Sequence, residues 1–306
     1  MEIGAFTFAD VAIGDGVGPA QRIPELLEEI ALADQVGLDV FGLGEHHRAG
    51  FAAPSPAVLL GAAAARTSRI RLTSAVTVLN SDDPVRVFEQ FTAVDLVSGG
   101  RAEIMAGRGA LTDSFRLFGH DLGDYDALFD EKLRLLLALR EPAPVTWSGR
   151  FRPALDNEIV LPRPVQDRLP VWIGVGGSPN SVVRTASLGL PMALGTVGGT
   201  ADHFAPMVEL FREALAHYEQ PPQPVAVTMH GFVADTSQKA GDIYFPADAA
   251  LFNMIGAGRG VPPFSALPST CAGLAAETGS DRDARGQPAA SSRAARWSWR
   301  VMCRNW

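Results

Sequence analysis

Through the first 256 residues, short near-continuous apolar runs alternate with longer stretches whose apolar positions recur at helical spacing. Ile3 to Phe8 is a short apolar run and reads as a strand. Ile23, Leu26, Leu27, Ile30 and Ala33 predict a helix from Pro24, in its first turn, to Val36, with Gly37 as its stop. Strands follow at Leu38–Gly44, Ile70–Leu79 and Ala102–Ala106, with helices at Pro56–Arg66, Pro84–Ser98 and Asp124–Leu139. The stretch Pro142–Gln166 breaks the rhythm and reads as a hairpin or long loop. The alternation resumes with strands Pro170–Val175, Pro191–Thr196 and Val225–Val233, and helices Asn180–Ser187 and Ala201–His217. Seven strands apolar on both faces, with helices between them, predict a parallel sheet covered by helices. This is an α/β protein, and a TIM (β/α)8 barrel fits so many repeated units better than an open doubly wound sheet.

In a barrel the chemistry belongs where strands end. The strand ends here read Phe6-Thr7-Phe8, Gly44-Glu45-His46-His47, Val78-Leu79-Asn80, Met105-Ala106-Gly107-Arg108-Gly109, Gly174-Val175-Gly176-Gly177-Ser178 and Gly195-Thr196-Val197. Polar and glycine residues thus gather at one rim. Glu45-His46-His47 has three readings: a metal pair, acid–base groups beside a cofactor, or a satisfied structural pair. The metal reading, which would make a hydrolase, needs a third ligand. Of the other histidines (His120, His203, His217, His230), only His230 lies in a strand, and not at a clear end. The glycines before Ser178 and the following helix read either as a phosphate cradle or as a tight strand–helix turn, and not as a dinucleotide fingerprint, because Pro179 stands where its last Gly belongs. Arg108 either supplies charge to that cradle or forms a surface ion pair with an acid such as Asp113.

Two cysteines and no basic leader predict a cytoplasmic protein, and the net charge of −8 argues against nucleic-acid binding. No apolar run reaches the ~20 residues of a membrane span. The charge is uneven. Residues 257–306 carry seven Arg and three acids, while the rest carries nineteen bases and thirty-one acids.

Several pieces in combination resemble the bacterial-luciferase-like, flavin-dependent monooxygenases. They are Ile3-Gly4-x-Phe6; Gly37-Leu38-Asp39 leading to Glu45-His46-His47; Asp83-Pro84-Val85-Arg86 with Gln90; Ser98-Gly99-Gly100-Arg101; Gly107-Arg108-Gly109 with Phe115-Arg116-x-Phe118-Gly119; Trp147-x-Gly149-x-Phe151 with Pro162-x-Pro164-x-Gln166; and Gly189-Leu190-Pro191. They cover residues 1–250. The resemblance implies a luciferase-like barrel over residues 1–263 that binds reduced FMN, or in one branch F420, at the rim. It implies His46, with Glu45 beside it, as the catalytic pair. Alternation would turn His46 to the pocket and His47 away. It implies a cofactor site made of Phe6, Ala75, Val76, Asn80, Met105, Gly107, Arg108, Gly176, Gly177, Ser178 and Ser181. In that site Arg108, Ser178 and Ser181 meet the phosphate, and Ala75–Val76 is a non-prolyl cis peptide. No metal is implied. The reaction would be monooxygenation of a small organic substrate by O2. No nicotinamide fingerprint is present, so reduced flavin would come from a separate flavin reductase. A homodimer is expected.

The resemblance also implies an insertion after strand seven, 236–264, whose Phe245, Pro246, Phe252, Met254 and Ile255 would lid the pocket. Residues 264–306 depart from the family. They lack period and four consecutive apolar residues, and read as a frame-shifted, disordered tail. The eighth βα unit is therefore expected to be missing or malformed, leaving strands one and seven facing across a gap. A flavin-binding relic without turnover is the corresponding alternative.

Overall fold

The computed structural model describes residues 1–11, 18–109, 111–196, 201–257 and 300–304. The strands are β1 (Glu2–Thr7), β2 (Val40–Leu43), β3 (Arg71–Ser74), β4 (Thr77–Val78), β5 (Ala102–Gly107), β6 (Val145–Trp147), β7 (Leu155–Glu158), β8 (Val171–Val175), β9 (Met192–Gly195), β10 (Val225–His230) and β11 (Arg300–Arg304). The helices are α1 (Pro19–Gln35), α2 (Pro56–Ala64), α3 (Pro84–Ser98), α4 (Asp113–Leu117), α5 (Tyr125–Arg140), α6 (Pro179–Ser187), α7 (Ala201–His217) and α8 (Ser237–Ala257). Helix α3 keeps its expected bounds because both ends are marked. Asp83 accepts hydrogen bonds from the Val85 and Arg86 N–H groups, and Gly99 ends the helix in the left-handed region. Helix α1 starts five residues earlier than Pro24. Pro19 takes the favoured first position behind an extended Gly18, and Pro24 sits inside the helix.

The sheet is a ring. Its order is β3-β2-β1-β11-β10-β9-β8-β5, and β3 pairs with β5 to close it. Strand β4 resumes the line of β3 after a cis Ala75–Val76 peptide and pairs with β5 through Thr77 and Val78. The stretch read as a hairpin is one, formed by β6 and β7 apart from the ring. Inward residues of successive staves form a small inner core of Phe6, Val40, Ala75, Met105, Trp172, Ala193 and Ala226. Outward residues such as Phe41, Leu72, Ile104, Ile173 and Leu194 pack in the larger core that includes helix residues. Burial on both faces is why these strands read as unbroken apolar runs.

The expected gap between the first and seventh staves is corrected here. Strand β11 fills it, antiparallel to both neighbours, with Gly4 and Thr228 each opposite Met302. The eighth stave is therefore present but reversed. The rest of the expected tail, 264–299 and 305–306, lies outside the described residues. Proline at 302 would delete a ladder donor in a strand paired on both sides. Met302→Pro is expected to cost about 1–3 kcal/mol, several degrees in Tm. Thermal unfolding checks this, and an unchanged Tm would show that β11 does not hold the barrel shut.

Candidate active site

At the C-terminal rim, above the inner core, lies a cavity of about 300 Å3. Phe6, Ala75, Val76, Met105, Gly107 and Gly174 border it, and Glu45, His46 and His47 form part of its wall. Val76 fixes the shape of this region. A Cβ placed on Gly107 would come within 2.5 Å of Val76 Cγ2, and one on Gly174 within 2.6 Å of Val76 Cγ1. Neither glycine can gain a side chain without moving Val76. Gly107→Ala is therefore expected to destabilise the fold by ~1–3 kcal/mol through overpacking and to weaken cofactor binding with it. Denaturant unfolding and flavin titration read the two effects separately.

His46 sits in an aromatic sleeve, its ring centroid 4.4 Å from Phe8 and 4.4 Å from Phe51. Its backbone N–H donates to Ala53 O. Glu45 is buried and holds two partners. One oxygen accepts the Val78 N–H at 2.9 Å, and the other bonds His47 Nε2 at 2.7 Å. The expectation that only His46 faces the cavity is corrected, since both histidines border it. Strand β2 ends at Leu43, so strict alternation has stopped before these residues. A second cavity of about 320 Å3 shares Glu45 and His47 and reaches Ser81, Asp82 and Gln90. Burial, and to a lesser degree the Glu45 charge, pushes the Asp82 carboxyl up. Among the described residues no three of His, Cys, Asp and Glu gather as a metal-binding group.

The other end of the rim cavity is cationic. Arg108 Nη2 donates to Ser181 Oγ at 2.8 Å, and Nη1 donates to Asp126, so its acid partner is Asp126 rather than Asp113. The Arg108 guanidinium also lies over the Tyr125 ring, 5.1 Å from its centroid. Tyr125 is held by stacking on Phe115 and by donating its hydroxyl to Gly109 O. Arg184, one turn beyond Ser181 on α6, is pulled down by burial and then by the Arg108 charge. Its Nε has no hydrogen-bond partner. The Arg108 guanidinium thus stands at the start of α6, where the Ser178 side chain makes no capping bond, while Arg184, in the last turn of α6, lies over the Phe129 ring. Such a helix start receives an anion through free N–H groups and the helix dipole.

Of the residues expected at the site, Phe6, Glu45, His46, Ala75, Val76, Met105, Gly107, Arg108 and Gly176 border the cavity. Ser181 joins through Arg108, and Gly177 and Ser178 lead into α6 without bordering the cavity. Asn80 does not belong to it. It is fully buried, its Nδ2 donates to Tyr125 O, and its carbonyl accepts the Lys132 ammonium at 2.6 Å. Burial pulls that ammonium down to about 8. Sequence reasoning missed Tyr125, Asp126 and Arg184, whose partners come from other elements. It also set His230 aside, yet β10 ends at His230 itself, and that residue borders the cavity. Of the expected lid residues, Phe245 is half-buried on α8 and Pro246 exposed; the side chains of Phe252, Met254 and Ile255 lie outside the described set.

A family model of luciferase-like monooxygenases matches residues 1–298. The luciferase-like monooxygenase of Escherichia coli K12 is 28% identical over 252 residues, which are 79% of this chain and 70% of that protein. The N-acetyl-S-alkylcysteine monooxygenase of Bacillus subtilis is 33% identical over 184 residues, 58% of this chain and 52% of that one. Two Sinorhizobium fredii relatives are matched over 51% and 55% of their lengths, so the chain spans about half of several curated relatives. Among solved structures, the oxygenating constituent of 3,6-diketocamphane monooxygenase from Pseudomonas putida, in complex with FMN, matches with a TM-score of 0.72 at 19% identity. The match covers 87% of this chain and 81% of that one. An F420-dependent secondary alcohol dehydrogenase matches at 0.61 and 19% identity, over 74% of this chain and 68% of that one. At such identities the likeness concerns the fold.

Proposed function

The chain belongs to the luciferase-like monooxygenase family, and from that premise we propose that it is a monooxygenase that uses reduced FMN and O2 on a small organic substrate. The observation that carries the choice of cofactor is the anion seat at α6. The Arg108 guanidinium is bonded to Ser181 there, with Arg184 close enough to feel its charge. A phosphate monoester such as that of FMN carries close to two charges near neutral pH, which suits a seat made of the Arg108 guanidinium and a helix start, with the Arg184 charge nearby. The phosphodiester of F420 carries one.

The residues fit a flavin in three further respects. A side chain on either Gly107 or Gly174 would strike Val76, so the two glycines keep the cavity wall beside it open to a ring. Arg108 and the start of α6 would take the phosphate, with the Ser181 and Ser178 hydroxyls alongside. His46, fixed between Phe8 and Phe51, holds or moves a proton at the cavity wall. The flavin supplies the electrons that activate O2, and the apolar floor keeps water from the reacting atoms. Glu45 orients His47 and ties it to β4 through the Val78 N–H. A separate reductase, a homodimer and a cytoplasmic location belong to this reading. The reductase is included because the chain carries no nicotinamide fingerprint.

Anaerobic titration with reduced FMN, riboflavin and F420 tests it. FMN is expected to bind tightest. Tighter binding of F420 would move the chain to the deazaflavin branch, and no binding of either would leave a barrel without cofactor. The relic reading rested on an unclosed barrel. Turnover with an added reductase decides it.

A further inference from the structure

The cavity has a second imidazole, and helix α8 builds a holder for it. His230 is the last residue of β10 and borders the cavity, with its side chain only 17% exposed. Its Nδ1 lies 2.7 Å from Asp248 Oδ1, and the Tyr244 hydroxyl is 3.3 Å from the same nitrogen. Tyr244 and Asp248 are four residues apart on α8 and so share one face. Tyr244 is fixed in turn by stacking on Phe232, 5.7 Å between centroids. An ionised carboxylate only accepts, so the proton sits on Nδ1 and the lone pair of the neutral ring on Nε2.

The ring order places this dyad. Arg108 follows β5 and Ser181 follows β8. The staves opposite those two are β1 and β11. His46 lies just past β2 on one side of that pair, and His230 ends β10 on the other. Given the phosphate seat of the preceding reading, on which this inference rests, the two histidines flank the end of the cavity away from the phosphate.

We propose that His230, oriented by Asp248 and Tyr244, is the proton acceptor for the organic substrate, and that the substrate carries a weakly acidic X–H group of the phenol or thiol type. In the step, Nε2 forms an N–H bond as the X–H bond breaks, and the electron pair of that bond stays on the substrate. The imidazolium is balanced by the Asp248 carboxylate and returns its proton to solvent at the rim. Asp248 and Tyr244 are positioning residues.

Two measurements on the full chain without flavin test this, so that failure of the FMN reading leaves them intact. Nitrogen NMR of the histidine rings should show neutral His230 protonated on Nδ1, a preference lost in Asp248→Leu. A proton on Nε2, or a preference unmoved by that change, overturns the proposal. Second, 4-nitrophenol mixed with the protein near pH 7, where an ordinary imidazole is mostly neutral, should gain 400 nm phenolate absorbance above that of the buffer alone. The gain should be lost in His230→Gln and weaker in Asp248→Leu. No gain with the unaltered chain, or a gain that survives His230→Gln, also overturns it.

Discussion

Replacing Arg108 with alanine should weaken reduced FMN about 10–100-fold and riboflavin less than about threefold. A hydrogen bond to a charged group contributes about 1.5–3 kcal/mol, and each 1.4 kcal/mol is about tenfold in affinity. Riboflavin has no phosphate, so the loss should be confined to the phosphorylated ligand. Asp126 refines the test. Its carboxylate now occupies Arg108 Nη1, although its side chain is 74% exposed. An incoming phosphate must displace it. Asp126→Asn should therefore tighten FMN several-fold, because the competing anion is gone. Anaerobic fluorescence titration of both variants with both ligands reads all four constants. Equal losses for FMN and riboflavin in Arg108→Ala would make the arginine a strut for Tyr125 and α6 instead.

His46→Ala should lower single-turnover oxygenation by about 10²–10⁴-fold, the range for losing a positioned proton-transfer group. Flavin affinity should change less than about threefold, since the phosphate seat lies at the other end of the cavity. His46→Gln keeps much of the volume between Phe8 and Phe51 without an equivalent proton carrier, so it should be as slow as the alanine variant. If glutamine restores the rate, the residue serves the shape of the sleeve and not the proton. Stopped-flow mixing of the reduced, flavin-loaded protein with oxygenated buffer measures the step.

Much of the barrel was readable because its signals are local. Asp83-Pro84 and Gly99 bracket α3, and strands buried on both faces announce themselves as apolar runs. Several motif residues that mark the family turn out to be scaffold. Arg101 donates to the carbonyls of Ala64, Thr67, Ile70 and Ser98. Gln166 donates its backbone N–H and its side-chain amide to Asp95 and so anchors the exit of the hairpin segment. Such residues recur for geometry and say little about chemistry. What stayed hidden was tertiary. Asp126 meets Arg108 from eighteen residues away, and Asp248 meets His230 across a loop. No period or motif carries these pairs. Strand β11 escaped for a different reason. A buried barrel strand announces itself by four consecutive apolar residues, but Arg300–Arg304 gains its place through backbone pairing on both sides.

The reversed stave also sets how the barrel answers a pull. Glu2 lies opposite Arg304, and Phe6 lies opposite Arg300. Tension between residues 2 and 304 is therefore applied at one end of the β1–β11 ladder and loads its rungs one after another. The same holds toward β10, where Ala226 faces Arg304 and His230 faces Arg300. A parallel last stave would be sheared with all rungs sharing the load. This one peels, from the face opposite the cavity toward the rim, and Phe6 and His230 are the last to part from it.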